Sequence, residues 1–382
     1  MYPTISHLIN DLLGINIPLP IQTFGFFVAL AFVMGSYFIS KEFKRKEEEG
    51  LLNSIKRKVK IGEGITTYEL LSSLIGGFFI GFKLVEAFLD YDALVQNPQT
   101  FILSAKGSVV GGIIVAAISV YTKYKEKQKT ELLEPKWVEQ TLQPHQLVGN
   151  MIMIAAISGI IGAKIFASLE NWDDFLLDPW GQLFAFSGLT FYGGLIFGAI
   201  SVSYYAKKNG IKLLHLIDIF APALMLAYGI GRIGCHLSGD GDWGIIAANH
   251  PNWWFLPDWM WGYNYPNNVI NAGKGIVDGC EGNFCHYLLK DVYPTPFYEI
   301  IMAGLIFFFL WSIRKRINIA GMLFFIYLTL NGIERFFIEK IRVNTEYNIL
   351  GGITQAEIIS FCLILTGLLG IYLLWKKSTS PQ

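Results

Sequence analysis

Charge is scarce in this chain: 16% of its 382 residues are Asp, Glu, Lys or Arg, while 53% are apolar. Basic and acidic residues cancel at 30 each, which argues against a nucleic-acid footprint. The apolar runs are uninterrupted, so the polar–apolar alternation of a membrane β-barrel is missing. No basic residue precedes Lys41, and the first apolar run ends in lysines rather than a small-residue cleavage site. A removable signal peptide is therefore not expected. Nor is there a nucleotide-binding glycine loop, or a nucleophile accompanied by its base.

What the chain does have is apolar length. Runs able to cross about 30 Å of hydrocarbon as helices begin near Ile21, Glu69, Gly107, Leu147, Gly188, Leu216, Thr295, Gly321 and Thr354. These describe an all-α polytopic membrane protein with about nine spans. Lysine and arginine collect in 41–60, 123–136, 207–212, 314–316 and at Lys376 and Lys377, alternating with connections poor in them. That alternation places the N-terminus outside and the C-terminus in the cytoplasm. The chain divides into 1–68 (interfacial segment, first span, basic loop), 69–146 (an extra helix pair), 147–244 (core spans), 245–292 (an outer-face loop domain) and 293–382 (C-terminal core spans and tail).

The extra pair reads as an internal repeat. Ile80-Gly81-Phe82-Lys83, a loop, Gly111-Gly112 and Ala117-Ile118-Ser119-Val120 reappear as Ile161-Gly162-Ala163-Lys164, a loop, Gly193-Gly194 and Ala199-Ile200-Ser201-Val202. Two added helices leave the topology downstream unchanged. The second copy carries Thr190-Phe191-Tyr192 where the first has Ser108-Val109-Val110, and is expected to be the working copy.

Polar residues concentrate at the outer ends of the spans. Gly231-Arg232-Ile233-Gly234-Cys235-His236-Leu237-Ser238-Gly239-Asp240-Gly241-Asp242-Trp243-Gly244 closes one span; Arg335, Glu339 and Arg342 close another; Tyr192-Gly193-Gly194 opens a third. An arginine at the lip of a span is costly unless it meets an anion or a carboxylate. Three arginines with carboxylates at one depth suit a phosphate ester, which the planar guanidinium binds through paired donors. Glycine at Gly193, Gly194 and Gly239 would let backbone N–H groups approach an anion or headgroup. Each reading has a structural competitor: an i, i+4 pair for Arg335 and Glu339, a snorkelling anchor for Arg232, close helix packing for Gly193 and Gly194, an interface-belt ring for Tyr192, and a structural role for His236.

These motifs resemble the bacterial prolipoprotein diacylglyceryl transferases over about 161–374. The resemblance is carried by Ser187-Gly188-Leu189-Thr190-Phe191-Tyr192-Gly193-Gly194, Asp218-Ile219-Phe220-Ala221-Pro222, the Arg232 signature, Tyr293-Pro294-Thr295-Pro296-Phe297-Tyr298-Glu299, Arg335-Phe336-Phe337-Ile338-Glu339 with Arg342, and Gly352-Ile353-Thr354-Gln355-Ala356-Glu357. It implies seven core spans, the count left when the repeated pair is subtracted. It implies a monomer of the bacterial cytoplasmic membrane with its active site towards the outer leaflet, needing no cofactor or metal. The implied partners are the lipid bilayer, phosphatidylglycerol and secreted prolipoprotein precursors. The implied reaction moves the diacylglyceryl group to the lipobox cysteine thiol and releases glycerol phosphate.

Under that resemblance Arg232 and Arg335 hold the phosphate, Glu339 orients Arg335 or binds the glycerol hydroxyls, and Asp240 stands near the family's signature glutamate. Gly193, Gly194, Gly239 and Arg342 bind substrate. Tyr192 stands where most of the family has a histidine, Phe24 where it usually has a tyrosine, and Cys235 where it has an asparagine. The proton acceptor is thus open among Tyr192, Asp240, Asp242 and His236. The alternatives to an enzyme are a phospholipid-binding paralogue and a membrane transporter, and a continuous polar path to the cytoplasm would favour the latter. In the outer loop, Trp253, Trp254, Trp259, Trp261, Tyr263 and Tyr265 suit either a headgroup surface or an aromatic core, and Cys280 with Cys285 is expected to form a local disulfide. A zinc site with His250 and His286 has only weak spacing support.

Overall fold

The computed structural model describes residues 1–185, 188, 190–276, 280, 283–344, 346–347 and 352–379. Ser187 and Leu189 of the resembling segment lie outside these. The elements run α1 (Ile5–Leu13), α2 (Thr23–Glu48), β1 (Ile55–Ile61), α3 (Thr67–Leu89), α4 (Tyr91–Gln96), α5 (Pro98–Leu103), α6 (Val109–Thr130) and β2 (Lys136–Leu142). Then come α7 (Val148–Glu170), α8 (Trp172–Leu177), α9 (Pro179–Phe184), α10 (Phe191–Lys208) and α11 (Leu213–Ser238). Strands β3 (Lys274–Gly275) and β4 (His286–Tyr287) lie in the long loop before α12 (Thr295–Ile313), α13 (Met322–Glu339), β5 (Glu346–Tyr347), β6 (Ile353–Thr354) and α14 (Gln355–Thr379).

Among the described residues, six helical segments are long and apolar enough to cross a membrane: Thr23–Glu48, Thr67–Leu89, Pro144–Glu170, Leu213–Ser238, Thr295–Ile313 and Gln355–Thr379. Long helices α6, α10 and α13 stand where the remaining three spans are expected, but they carry charge. Lysines crowd the last turns of α6 and α10, and Glu334, Arg335 and Glu339 sit in α13. A multi-pass helical membrane protein is the result.

Helix α11 is the centre, packed on α2, α12 and α13, while α14 lies on α13. Buried Ile39, Phe43, Met151, Val202, Ala206, Leu216 and Ile219 join α2, α7, α10 and α11 at one end of the bundle. Met225, Ala303 and Phe307 fill the middle between α11 and α12. At the same end as the first cluster, the Asp218 carboxylate accepts from the Gly321 and Phe324 N–H groups at 2.7 and 3.0 Å, capping α13 from a distant helix. The Lys46 ammonium lies 3.6 Å from it.

The repeat is structural as well as sequential. Each copy is a long helix, two six-residue helices and a second long helix: α3–α6 and α7–α10. In copy one the Ser108 N–H donates to the Phe82 carbonyl at 2.9 Å; in copy two Thr190 donates to Ala163 at 3.2 Å. The paired glycines have the same job in both, since a Cβ on Gly81 would lie 2.3 Å from the Gly111 carbonyl and one on Gly193 2.3 Å from that of Gly162. Close helix approach of this kind is what small residues provide in membranes. The lysine of each copy turns to a short helix: Lys83 donates to the Phe101 and Ser104 carbonyls at 2.8 and 2.6 Å, and Lys164 to Gln182 at 3.0 Å.

Candidate active site

Helix ends meet at the end of the bundle opposite the Asp218 cluster. Gly239, at φ 64°, ends α11 in the left-handed region that glycine favours. The chain then runs to Gly244, whose N–H donates to the Tyr293 carbonyl at 2.8 Å, while the Ile245 N–H donates to Ile341 at 2.8 Å. No Cβ fits at Gly244, because it would stand 2.3 Å from the Ile341 carbonyl. Thr295, at the start of α12, donates through its hydroxyl to the Asp242 carbonyl at 2.7 Å. These bonds bring the end of α11, the start of α12 and the end of α13 into one cluster.

Its hub is Glu299. That side chain is fully buried, and its carboxylate lies 3.0 Å from the Arg232 Nε, 3.3 Å from an Arg335 nitrogen and 3.5 Å from an Arg342 nitrogen. The Tyr228 hydroxyl donates to Glu299 at 2.9 Å and stands 3.5 Å from Glu334, which is also buried. Asp242 bridges Arg232 and Arg342 from the other side. Arg335 also pairs with Glu339 at 3.1 Å, one helical turn along, and Glu339 accepts from the Asn344 amide. Three guanidiniums thus face Glu299, Asp242 and Glu339, equal in formal charge. Each guanidinium has five N–H donors, so the ion pairs leave donors over for an incoming anion.

Asp240 and Asp242 differ in electrostatic setting. Burial alone would raise the Asp242 carboxyl, but Arg232 and Arg342 outweigh it and hold it below the usual carboxylate range. Burial pushes Asp240 up instead, and the neighbouring Asp242 charge adds to the effect. The Asp242 N–H donates to Asp240 at 3.2 Å. The Cys235 thiol and these two carboxylates lie within 4.8 Å of one another, yet the two guanidiniums on Asp242 disfavour a metal cation there.

Among the described residues, no hydrogen bond or ion pair joins the other expected residues to the arginines. His236 is buried in a ring of Trp259, Tyr263, Tyr265 and Phe297, with its Nδ1 3.3 Å from the Tyr265 hydroxyl. The Gly239 N–H is used within the chain, donating to Cys235 at 3.0 Å. Gly193 and Gly194 face Gly162 and Gly159 of α7. Tyr192, half-buried in the first turn of α10, makes an edge contact with Phe191; among the described residues no hydrogen bond or ion pair joins it to the arginines. Cys280 and Cys285 form a disulfide.

Glu299, Tyr228 and Glu334 are absent from the site residues expected from sequence. Their signal was available in part: Glu299 is the one charged residue of α12, and an isolated carboxylate in a span is costly without partners. Tyr228 carried no comparable signal.

The model of the family described as prolipoprotein diacylglyceryl transferase matches residues 130–373. The chain belongs to the prolipoprotein diacylglyceryl transferase family. All the arginines and carboxylates of the cluster fall inside the matched region, and the first copy of the repeat falls outside it except for the last residue of α6, Thr130. Similar members, each named phosphatidylglycerol--prolipoprotein diacylglyceryl transferase, come from Dehalococcoides mccartyi, Leptospira interrogans and Clostridium botulinum. The first is 29% identical over 233 residues, covering 60% of this chain and 78% of the relative. The second is 26% identical over 287 residues, covering 61% and 81%. The third is 30% identical over 230 residues, covering 60% and 80%.

Proposed function

We propose that this protein transfers the diacylglyceryl group of phosphatidylglycerol to the lipobox cysteine thiol of a secreted prolipoprotein, forming a thioether and releasing glycerol phosphate. The observation that carries the reading is the convergence of Arg232, Arg335 and Arg342 on buried Glu299. In the reaction the thiolate sulfur bonds to the glycerol carbon bearing the phosphate ester. The C–O bond breaks, and its electron pair leaves on the phosphate. Guanidiniums fixed in advance by carboxylates stabilise that growing charge without having to reorganise. Arg335 and Arg232 hold the phosphate, Arg342 completes the cradle, and Glu339 keeps Arg335 aimed.

The thiol proton passes to Asp240. Its carboxyl, held above the ordinary range, is a stronger base than a free aspartate, while Asp242 is committed to two arginines. His236 is walled in by aromatic rings, and Tyr192 sits on a different helix pair. The protein crosses the cytoplasmic membrane nine times as a monomer, N-terminus outside, with this cluster towards the outer leaflet. The basic segments at the opposite ends of the helices support that orientation. Against a transporter, buried Met225, Ala303 and Phe307 lie between the two charged clusters.

Purified protein, phosphatidylglycerol and a lipobox-cysteine peptide provide the test. A diacylglyceryl mass gain on the peptide with glycerol phosphate release, both lost in Arg335→Ala, is the expected result. Folded wild-type protein that leaves the peptide unmodified, beside a family member active in the same assay, overturns the reading.

A further inference from the structure

The first copy of the repeat is joined to the rest of the molecule by an unusual connection. Helices α3 and α6 pack extensively only against each other. Strand β1 carries the chain out to them, and β2 brings it back, paired antiparallel over seven residues each from Ile55 opposite Leu142 to Ile61 opposite Lys136. The near end of the ribbon rests on the bundle core, where Ile55 packs against the cluster containing Phe43 and Leu52. The far end leads into the start of α3 and the end of α6, where the Leu132 N–H donates to the Gly62 carbonyl at 3.1 Å. Both ends are therefore tied to the ends of membrane helices. Seven strand residues span roughly 20 Å, the distance over which the ribbon bridges the core and the added pair. At the opposite face the Tyr91 hydroxyl donates to the Pro18 carbonyl and ties the pair a second time.

A lone two-stranded ribbon is marginal in water, and both of its edges are unpaired. This one has no third strand and no helix laid on it among the described residues. Its register sorts the side chains. Lys56, Lys58 and Lys60 share one face with Thr141, Glu139 and Trp137, their cross-strand partners. Trp137 is 68% exposed on that face. Arg57 and Lys136 stand on the other face, making five basic residues against the single Glu139. A shallow groove of about 760 Å³ on the ribbon is lined by Arg57, Lys58, Lys60 and Trp137, and by Glu63, which pairs with Lys60 at 2.8 Å.

We propose that this ribbon is a binding surface for anionic phospholipid headgroups, in the leaflet at the end of the bundle opposite the arginine cluster. The lysine and tryptophan face lies against the headgroups of lipids that fill the gap between the core and the added helix pair. Three lysines answer the phosphates, and Trp137 takes the interfacial position that indole favours. An acidic protein partner would need the same charge but would not need the ribbon to lie along the membrane. The inference is independent of the transferase reading, because none of these residues belongs to the arginine site.

The test uses the intact wild-type protein in nanodiscs of phosphatidylcholine, with or without an equal share of phosphatidylglycerol. Lysine acylation is followed by peptide mass spectrometry, with exposed Lys290 as reference. A lysine held near an anionic surface gains about 1 kcal/mol, so Lys56, Lys58 and Lys60 are expected to label about five-fold more slowly in the anionic discs. High salt should restore their labelling while Lys290 stays constant. Equal labelling in both discs overturns the proposal and leaves the face to a protein partner. Protection that ignores salt and headgroup charge overturns it as well. Because lysine labelling does not depend on turnover, failure of the transferase assay would leave this result standing.

Discussion

Replacing Glu299 with glutamine removes one charge and little volume, and tests whether the cluster is held by its hub. The carboxylate meets three guanidiniums at 3.0, 3.3 and 3.5 Å in a fully buried position. Removing one partner of a buried ion pair costs about 3–5 kcal/mol, because the remaining charge is left without compensation. Here the excess positive charge falls on three arginines packed together. Two readouts should respond. Glu299→Gln is expected to unfold at markedly lower temperature in detergent, and its kcat is expected to fall about 100-fold, as when a preorganised donor is misplaced. KM for phosphatidylglycerol should not rise, since the site has become more positive. Tyr228→Phe removes only the 2.9 Å hydrogen bond to the same carboxylate and should cost about 1 kcal/mol, a scale for the larger effect. A Glu299→Gln protein with wild-type melting and wild-type kcat would refute the electrostatic account of the cluster.

Three further outcomes are expected. A base must be deprotonated to act, and burial with the Asp242 charge holds Asp240 above its ordinary value, so the rate should climb with pH through an inflection above the usual aspartate range. Asp240→Asn should remove that inflection and slow turnover about 100-fold, while Tyr192→Phe keeps both; the reverse pattern in a pH–rate profile would assign the base to Tyr192. Gly193→Leu should destabilise by about 1–3 kcal/mol or more, since its Cβ would meet the Gly162 carbonyl at 2.3 Å, whereas Gly198→Ala, with its nearest atom at 3.7 Å, should melt like wild type. Asp218→Ala strips two N–H partners and the neighbour of buried Lys46, so a loss of about 3 kcal/mol is expected by denaturation, with specific activity of the folded fraction unchanged.

Hydrophobic length and charge placement determined most of the architecture before any fold was known. Runs long enough to span, lysine-rich ends and a repeat marked by glycine pairs follow from local composition, because a helix in lipid must satisfy its own backbone and bury its charges at the ends. Among the described residues, helices long and apolar enough to cross a membrane stand at six of the expected places. The arginines were legible for the same reason, since each is costly at the end of an apolar run. Tertiary structure decided which carboxylate each arginine meets. Arg232 is near Asp240 in sequence but pairs with Asp242 and with Glu299, 67 positions away, because α11 and α12 lie side by side. It also gave Gly193 its neighbour in α7 and enclosed His236 in rings from the outer loop and the start of α12. Such pairings depend on how helices of nearly uniform apolar surface are rotated and set against one another, and that rotation is fixed by contacts between residues far apart in the chain.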